Sequence, residues 1–338
     1  MQHHLRRAWQ RRGALACLLW PLSLLYGALA RRQQARQRTR AQRLPVPTIV
    51  IGNVIAGGAG KTPTALAIAR HLTQRGWRPG IISRGYGRQQ HDCREVLPDS
   101  TPQDVGDEPL LLRQRSGCPV FVAPRRFDAG RALLAAHPQV NVLLCDDGLQ
   151  HAVLARDIEI CAFDTRGIGN GWLLPAGPLR EAWPRPVDFI LLTQADAVPP
   201  PAATAPVFAA TRRLANNAQR ADGSPVPLAS LRGQAAAALA GIARPENFFA
   251  MLRARGIQLE KTLPLPDHGT FENLPPQIRH ADILLCTEKD AAKLWPLAPQ
   301  ALAVPLELDI PAEFFEALDK KLTRLPHPPA AEIGIAPH

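Results

Sequence analysis

The sequence predicts an α/β protein: a parallel sheet with helices on both faces, a smaller second α/β unit, and an N-terminal membrane-associated helix. Three observations predict it. Short aliphatic runs without polar alternation recur between stretches of helical spacing, the pattern of strands covered on both faces. The same alternation restarts on a smaller scale beyond a proline-rich stretch at 196–206. Residues 13–30 are uncharged and have arginines on both sides.

In chain order, 48–52 (TIVIG) reads as a buried strand running into glycines. Residues 62–74 read as a helix from the spacing of Leu66, Ile68, Ala69 and Leu72. Strands follow at 80–83, 119–123, 140–145, 158–163 and 188–193, with helices at 108–115 and 128–136. Weak strand signals reach to about residue 230. The second unit begins with an alanine-rich strand at 235–242. A helix at 245–255, strands at 257–263 and 282–286, and a helix at 289–295 follow. The expected units are a basic apolar helix at 1–43, a main domain at 44–232 including linker strands, a smaller domain at 233–325, and a tail at 326–338.

The net charge of +11 is localised. Residues 1–43 hold ten arginines and no acidic residue, leaving 30 basic against 29 acidic side chains elsewhere. A nucleic-acid binder needs basic residues on its folded body, so that class is disfavoured. The eighteen uncharged residues at 13–30 would reach ~27 Å as a helix, enough for a bilayer core or a shallow insertion. Trp20, Pro21 and Tyr26 suit an interfacial or kinked helix, and the arginines suit anionic headgroups. Ala28-Leu29-Ala30 also resembles a signal-peptide cleavage site, but the basicity after the apolar run opposes translocation. The expected location is the cytoplasmic face of a membrane. The six cysteines form no CxxC pair and no metal-like grouping, and Cys145, Cys161 and Cys286 fall in apolar strand runs. No protein partner is evident.

The segment AGGAGKT carries the chemistry. Gly57, Gly58, Ala59 and Gly60 lie between a buried strand and a helix that opens with Lys61 and Thr62. Glycines let backbone N–H groups converge on phosphate oxygens, and the helix N-terminus adds positive potential. Lys61 would reach the β- and γ-phosphates, and Thr62 would offer its hydroxyl to Mg²⁺. The common GxxxxGK[ST] pattern has glycine where this chain has Ile55, so the loop is a variant. The apolar run 142–145 delivers Asp146 and Asp147 to the place where such sites hold their metal carboxylate. In extended chain the two point oppositely, and either could meet the ion. These features imply a P-loop NTPase-type sheet and nucleoside triphosphate binding, and no more.

Further segments narrow the choice. SRGYGR at 83–88, GDEP at 106–109, DDGLQH at 146–151, GNG at 169–171, LPAGPLRE at 174–181, Asp267-His268 and TEKD at 287–290 occur in this order. With VIGNVIAGGAGKTP they resemble the tetraacyldisaccharide 4′-kinase family of lipid A kinases, from the apolar helix to about residue 295. The resemblance implies ATP- and Mg²⁺-dependent phosphorylation of the 4′-hydroxyl of a tetraacylated glucosamine disaccharide 1-phosphate, yielding lipid IVA. It also implies two α/β domains around a cleft and a location on the inner membrane. It assigns proton acceptance to Asp107, partnered by His268, and places Glu108 near the metal. Arg125 or Arg126 resembles a phosphate-neutralising arginine, and Tyr86, His151, Arg180 and Glu181 resemble residues lining the cleft. Gly269 stands where the family usually has a second histidine. For TEKD, an N-cap with an acidic first turn is preferred to guanine recognition. Rival readings are a membrane-associated partition-type ATPase switch, whose loop carries Lys where this chain has Ala56, and a GTPase.

Overall fold

The computed structural model describes residues 9–242, 244–266, 271 and 274–325. The first described helix, α1 (Ala14–Thr39), precedes an eight-stranded sheet. Its strands are β1 (Thr48–Gly52), β2 (Pro79–Ser83), β3 (Arg94–Glu95), β4 (Val120–Val122), β5 (Val142–Asp146), β6 (Ile158–Phe163), β7 (Phe189–Leu192) and β8 (Val207–Ala209). The order is β3-β4-β2-β5-β1-β6-β7-β8, and all pairs but β3–β4 are parallel. Every residue of β1 is buried between β5 and β6, as its unbroken aliphatic sequence requires. Helices α2 (Lys61–Gln74), α3 (Pro102–Val105), α4 (Asp107–Ser116) and α5 (Arg126–Ala136) connect these strands. Because the sheet is parallel, the loops leaving β1, β2, β5, β6 and β7 gather at one edge, where open α/β sheets bind ligands.

Two short antiparallel strands, β9 (Thr211–Leu214) and β16 (Leu306–Asp309), join this body to a six-stranded second sheet. That sheet comprises β10 (Asn217–Gln219), β11 (Pro225–Pro227), β12 (Ala235–Ala240), β13 (Gln258–Pro264), β14 (Leu284–Thr287) and β15 (Leu302–Val304), ordered β11-β10-β15-β14-β12-β13. Helices α6 (Pro245–Ala254), α7 (Pro276–Arg279) and α8 (Glu288–Leu294) accompany it.

The packing units differ from the sequence boundaries at 232 and 325. Residues 217–227, expected in the main domain, pair into the second sheet. The last helix, α9 (Ala312–Leu322), expected in the second unit, returns to the first. Its stripe Phe314, Leu318 and Leu322 is fully buried in the first body's core, with Phe314 against Phe189 of β7 and Phe208 of β8, because a helix with apolar residues every four positions needs an apolar surface to cover. The first body is thus completed by the last described helix.

Helix α1 lies side-on against the first body. Ala16, Ser23 and Gly27 face inward, and a Cβ on Gly27 would stand 2.6 Å from Leu173. The Tyr26 hydroxyl donates to the Arg180 carbonyl at 2.9 Å, and Gln34 Nε2 donates to Glu181 at 3.2 Å. Leu15, Leu18, Leu22, Leu25 and Leu29 occupy the opposite, exposed face. The helix is long and apolar enough to cross a bilayer. With polar loop residues along one side at the same height, however, only its outer face can meet lipid.

Candidate active site

The glycine loop folds as its sequence requires and is pinned on three sides. Gly57 and Gly60 have φ of +91° and +82°, a region that L side chains avoid. A Cβ on Gly60 would also stand 2.9 Å from Thr193. Asn53 Nδ2 donates to the Gly57 carbonyl (2.9 Å), and the Thr193 hydroxyl, after β7, donates to the Ala59 carbonyl (2.9 Å). Arg166 donates to the Ala56 and Gly58 carbonyls at 3.0 and 2.6 Å. Asp164, at the end of β6, holds that guanidinium through both carboxylate oxygens at 2.9 Å. Although burial works against its charge, Arg166 keeps the Asp164 carboxyl below its ordinary range. Ile55, which replaces the usual first glycine, is fully buried and bridges to Leu179, while Ala56 N–H donates to the Pro178 carbonyl at 2.8 Å. The 174–181 motif is therefore the buttress of the loop.

Lys61 is 8% exposed at the first position of α2. Its Nζ donates to Asn53 Oδ1 at 3.3 Å and lies 3.5 Å from Asp147 Oδ1. Asp147 has a positive φ of 48° and is clamped by Arg180, whose two terminal nitrogens reach its oxygens at 2.9 and 3.3 Å. Burial opposes its charge, but Lys61 and Arg180 prevail and hold its carboxyl well below the usual range. Asp146 has the opposite fate. It is fully buried, and neither carboxylate oxygen has a hydrogen-bond partner among the described residues. Burial, with the Glu108 carboxylate next, pushes it up to about 7. Where the sequence left both aspartates open, the geometry separates them: Asp147 is the paired anchor, and Asp146 is the buried carboxylate without a partner.

A cleft of about 1710 Å³ opens over this edge. Lys61, Thr62, Glu108, Asp147, His151 and Arg180 line it, as do Tyr86, Glu181 and Arg126. Arg126 is 3% exposed and donates to the Asp147 carbonyl at 3.1 Å, whereas its neighbour Arg125 is exposed and lies outside the cleft. The substitution of one for the other corrects the expectation for Arg125, since Arg125 caps α5 while Arg126 enters its first turn facing the sheet edge. His151 is drawn down to about 4 by burial and by Arg126 and Arg84, so its imidazole is neutral at physiological pH. Glu181 accepts from Gln150 at 2.5 Å and from Arg185 at 3.1 Å, besides Gln34 of α1. It ties the site loop to the outer helix.

The GDEP and SRGYGR segments meet: a Cβ on Gly106, whose φ is +93°, would stand 2.9 Å from the Tyr86 carbonyl. Asp107 then opens α4, and Lys293 Nζ of α8 donates to its Oδ2 at 2.7 Å. Arg115 and Glu288 pair across the same junction. Asp267, His268 and Gly269 lie outside the described residues. In TEKD, the acidic first turn of α8 is present, with Asp290 accepting from the Thr287 hydroxyl (2.6 Å) and from Gly241 N–H (2.9 Å), but the Thr287 side chain makes no capping bond to the helix backbone. The sequence reading missed Asn53, Asp164, Arg166, Thr193 and Lys293. Only Asp164 carried a signal, a carboxylate closing an apolar strand as Asp146 does.

The family described as LpxK, tetraacyldisaccharide-1-P 4′-kinase, matches residues 15–323. The chain is 61% identical over 330 residues to the tetraacyldisaccharide 4′-kinase of Acidovorax sp. (strain JS42), covering 96% of each chain. It is 56% identical to the protein of that name from Delftia acidovorans, again with 96% coverage of both. Among solved structures, LpxK from Aquifex aeolicus in complex with ATP superposes with a TM-score of 0.79 at 26% identity, covering 91% of this chain and 99% of that one. Fold, site edge and sequence agree: the chain belongs to the tetraacyldisaccharide-1-P 4′-kinase family.

Proposed function

We propose that the chain transfers the γ-phosphate of ATP to the 4′-hydroxyl of a tetraacylated disaccharide 1-phosphate at the cytoplasmic membrane surface, within lipid A biosynthesis. The observation that carries the reading is the pinned glycine loop delivering Lys61 and Thr62 into a cleft whose rim is also lined by α1 residues Tyr26, Gly27 and Gln34. Nucleotide chemistry and the membrane-facing helix thus share one cavity, which suits an amphiphilic acceptor.

The residues divide the work as follows. Backbone N–H groups of residues 57–61 at the start of α2 would bind the triphosphate, and nothing lies within 4 Å of a Cβ built on Gly58, so no internal contact requires glycine there. Lys61 leaves Asp147 for the β- and γ-phosphates, with Arg180 retaining that carboxylate. The unpartnered oxygens of Asp146, the Thr62 hydroxyl and Glu108 fit a Mg²⁺ ion. When bound, such an ion supplies charge neutralisation to the phosphate oxygens. Asp107 accepts the proton of the sugar hydroxyl as its oxygen attacks the γ-phosphorus, and ADP departs along the line of attack. His268 is its proposed partner, and Arg126 offsets charge on the phosphoryl group.

The full chain incubated with γ-labelled ATP, Mg²⁺ and a tetraacyldisaccharide 1-phosphate in detergent should yield labelled lipid. Hydrolysis of ATP with no label in the lipid would overturn the kinase reading and leave the ATPase switch.

A further inference from the structure

Beside the cleft, on the outer face of α1, lies a second hollow of about 770 Å³. Arg32, Arg36 and Arg40 of α1 and Arg125 at the cap of α5 line it, with Gln33, Gln37 and Gln42 between them. No acidic side chain lines it. None of the four arginines has an ion pair among the described residues. Concentrating four like charges without internal neutralisation is unfavourable unless an external anion is met.

The position of the hollow identifies that anion. At 100° per residue, Arg32 and Arg36 continue the same face of α1 as the exposed Leu15, Leu18, Leu22, Leu25 and Leu29, and Arg40 follows as the cap of the helix. Leu29 itself lines the hollow. One helix face therefore passes from an apolar stripe to a basic basin, the sequence of environments met from acyl chains to phosphodiester headgroups. Arg125 comes from the folded body, so the basin is a shaped site rather than a run of basic residues on one helix. Guanidinium forks suit phosphate oxygens in pairs.

We propose that Arg32, Arg36, Arg40 and Arg125 form a binding site for the phosphodiester headgroup of an anionic phospholipid, which seats α1 in the membrane surface with its leucines in the acyl region. The proposal rests on the membrane-surface reading above and adds to it a specific headgroup site.

The test uses the full chain and vesicles of phosphatidylcholine alone or with phosphatidylglycerol. Wild type should partition onto the mixed vesicles more than ten-fold better. Arg36→Gln and Arg125→Gln should each lose roughly five-fold or more of that binding, while Arg38→Gln, which removes the same charge from an exposed position outside the hollow, should lose clearly less. All three should phosphorylate detergent-dispersed acceptor as wild type does, which shows they fold. Equal losses for Arg38→Gln and Arg36→Gln, or no loss for Arg125→Gln, would reduce the basin to unspecific charge and overturn the site. An increased acceptor KM in Arg125→Gln with unchanged vesicle binding would instead give the hollow to the acceptor. Wild type that binds neither vesicle overturns the membrane reading, and the headgroup site with it.

Discussion

The two walls of the cleft are built differently. The wall on the first sheet is held by bonds to the loop's own backbone: the Thr193 and Asn53 side chains and the 174–181 segment fix the glycine loop, and Arg166 adds a charged clasp. The wall on the second unit approaches through side chains. Lys293 reaches Asp107, Arg115 reaches Glu288, and Arg244 donates to the Thr165 hydroxyl at 2.6 Å. A glycine loop fixed within one body thus stands near Asp107, whose side chain is paired with Lys293 of the second unit. On the proposed function, positioning of the phosphates would belong to the first wall and the setting of Asp107 to the junction.

The sharpest way to break this division is on the first wall. Lys61→Ala should lower transfer by roughly 10²–10³-fold, the scale of removing one preorganised charge from a transition state. The loop should keep its fold, since its pins do not involve the Lys61 side chain beyond Asn53 and Asp147. A variant that retains more than a tenth of the activity would deny Lys61 its role at the phosphates.

The junction should respond less strongly and in a different parameter. Lys293→Met removes a cation 2.7 Å from Asp107 without touching the glycine loop. We expect kcat to fall about ten- to a hundred-fold while the KM for ATP stays within about two-fold. Lys293→Arg should recover part of the loss. A rise in the KM for ATP alone would mean that the second unit shapes the nucleotide site and that the two walls are not separate in function.

The same contrast explains what the sequence disclosed. Strand, glycines and Lys61 follow one another within residues 48–61, and the aspartate pair directly closes its own apolar run at 142–145, so periodicity and spacing reveal them. The 174–181 motif was visible as a motif, but its role as the buttress depends on Ile55 meeting Leu179 across more than a hundred residues. Lys293 and Arg166 are ordinary basic residues until topology carries them to Asp107 and to the loop carbonyls. The choice between Arg125 and Arg126 turns on where the helix begins: Arg125 is an extended cap and Arg126 the first helical residue, which composition does not encode. Helix α9 went unread for a related reason: its apolar stripe is short, and Phe189 and Phe208, which it covers, lie more than a hundred residues earlier. The N-terminal helix was legible as apolar and basic. That one side of it packs on the protein required the partners Leu173, Arg180 and Glu181.

The least dramatic prediction concerns Asp146 and tests the first wall at its most polar point. An ordinary aspartate loses its proton near pH 4, but in the folded chain burial and the nearby Glu108 raise this one to about 7. The folded state therefore holds a proton that the unfolded state has released between pH 4 and 7. Stability falls with rising pH across that window, and the full penalty is present above it. Asp146→Asn removes the titration. In chelator and without nucleotide, the variant should match wild type near pH 4 and exceed it increasingly toward pH 8, by on the order of a few kcal/mol at most and several degrees in Tm. Adding Mg²⁺ with a non-hydrolysable ATP analogue at pH 8 should narrow the gap, because ligand binding stabilises the folded wild type and the variant has lost its ionisable oxygens. A gap independent of pH would mean that Asp146 stays ionised in the folded protein.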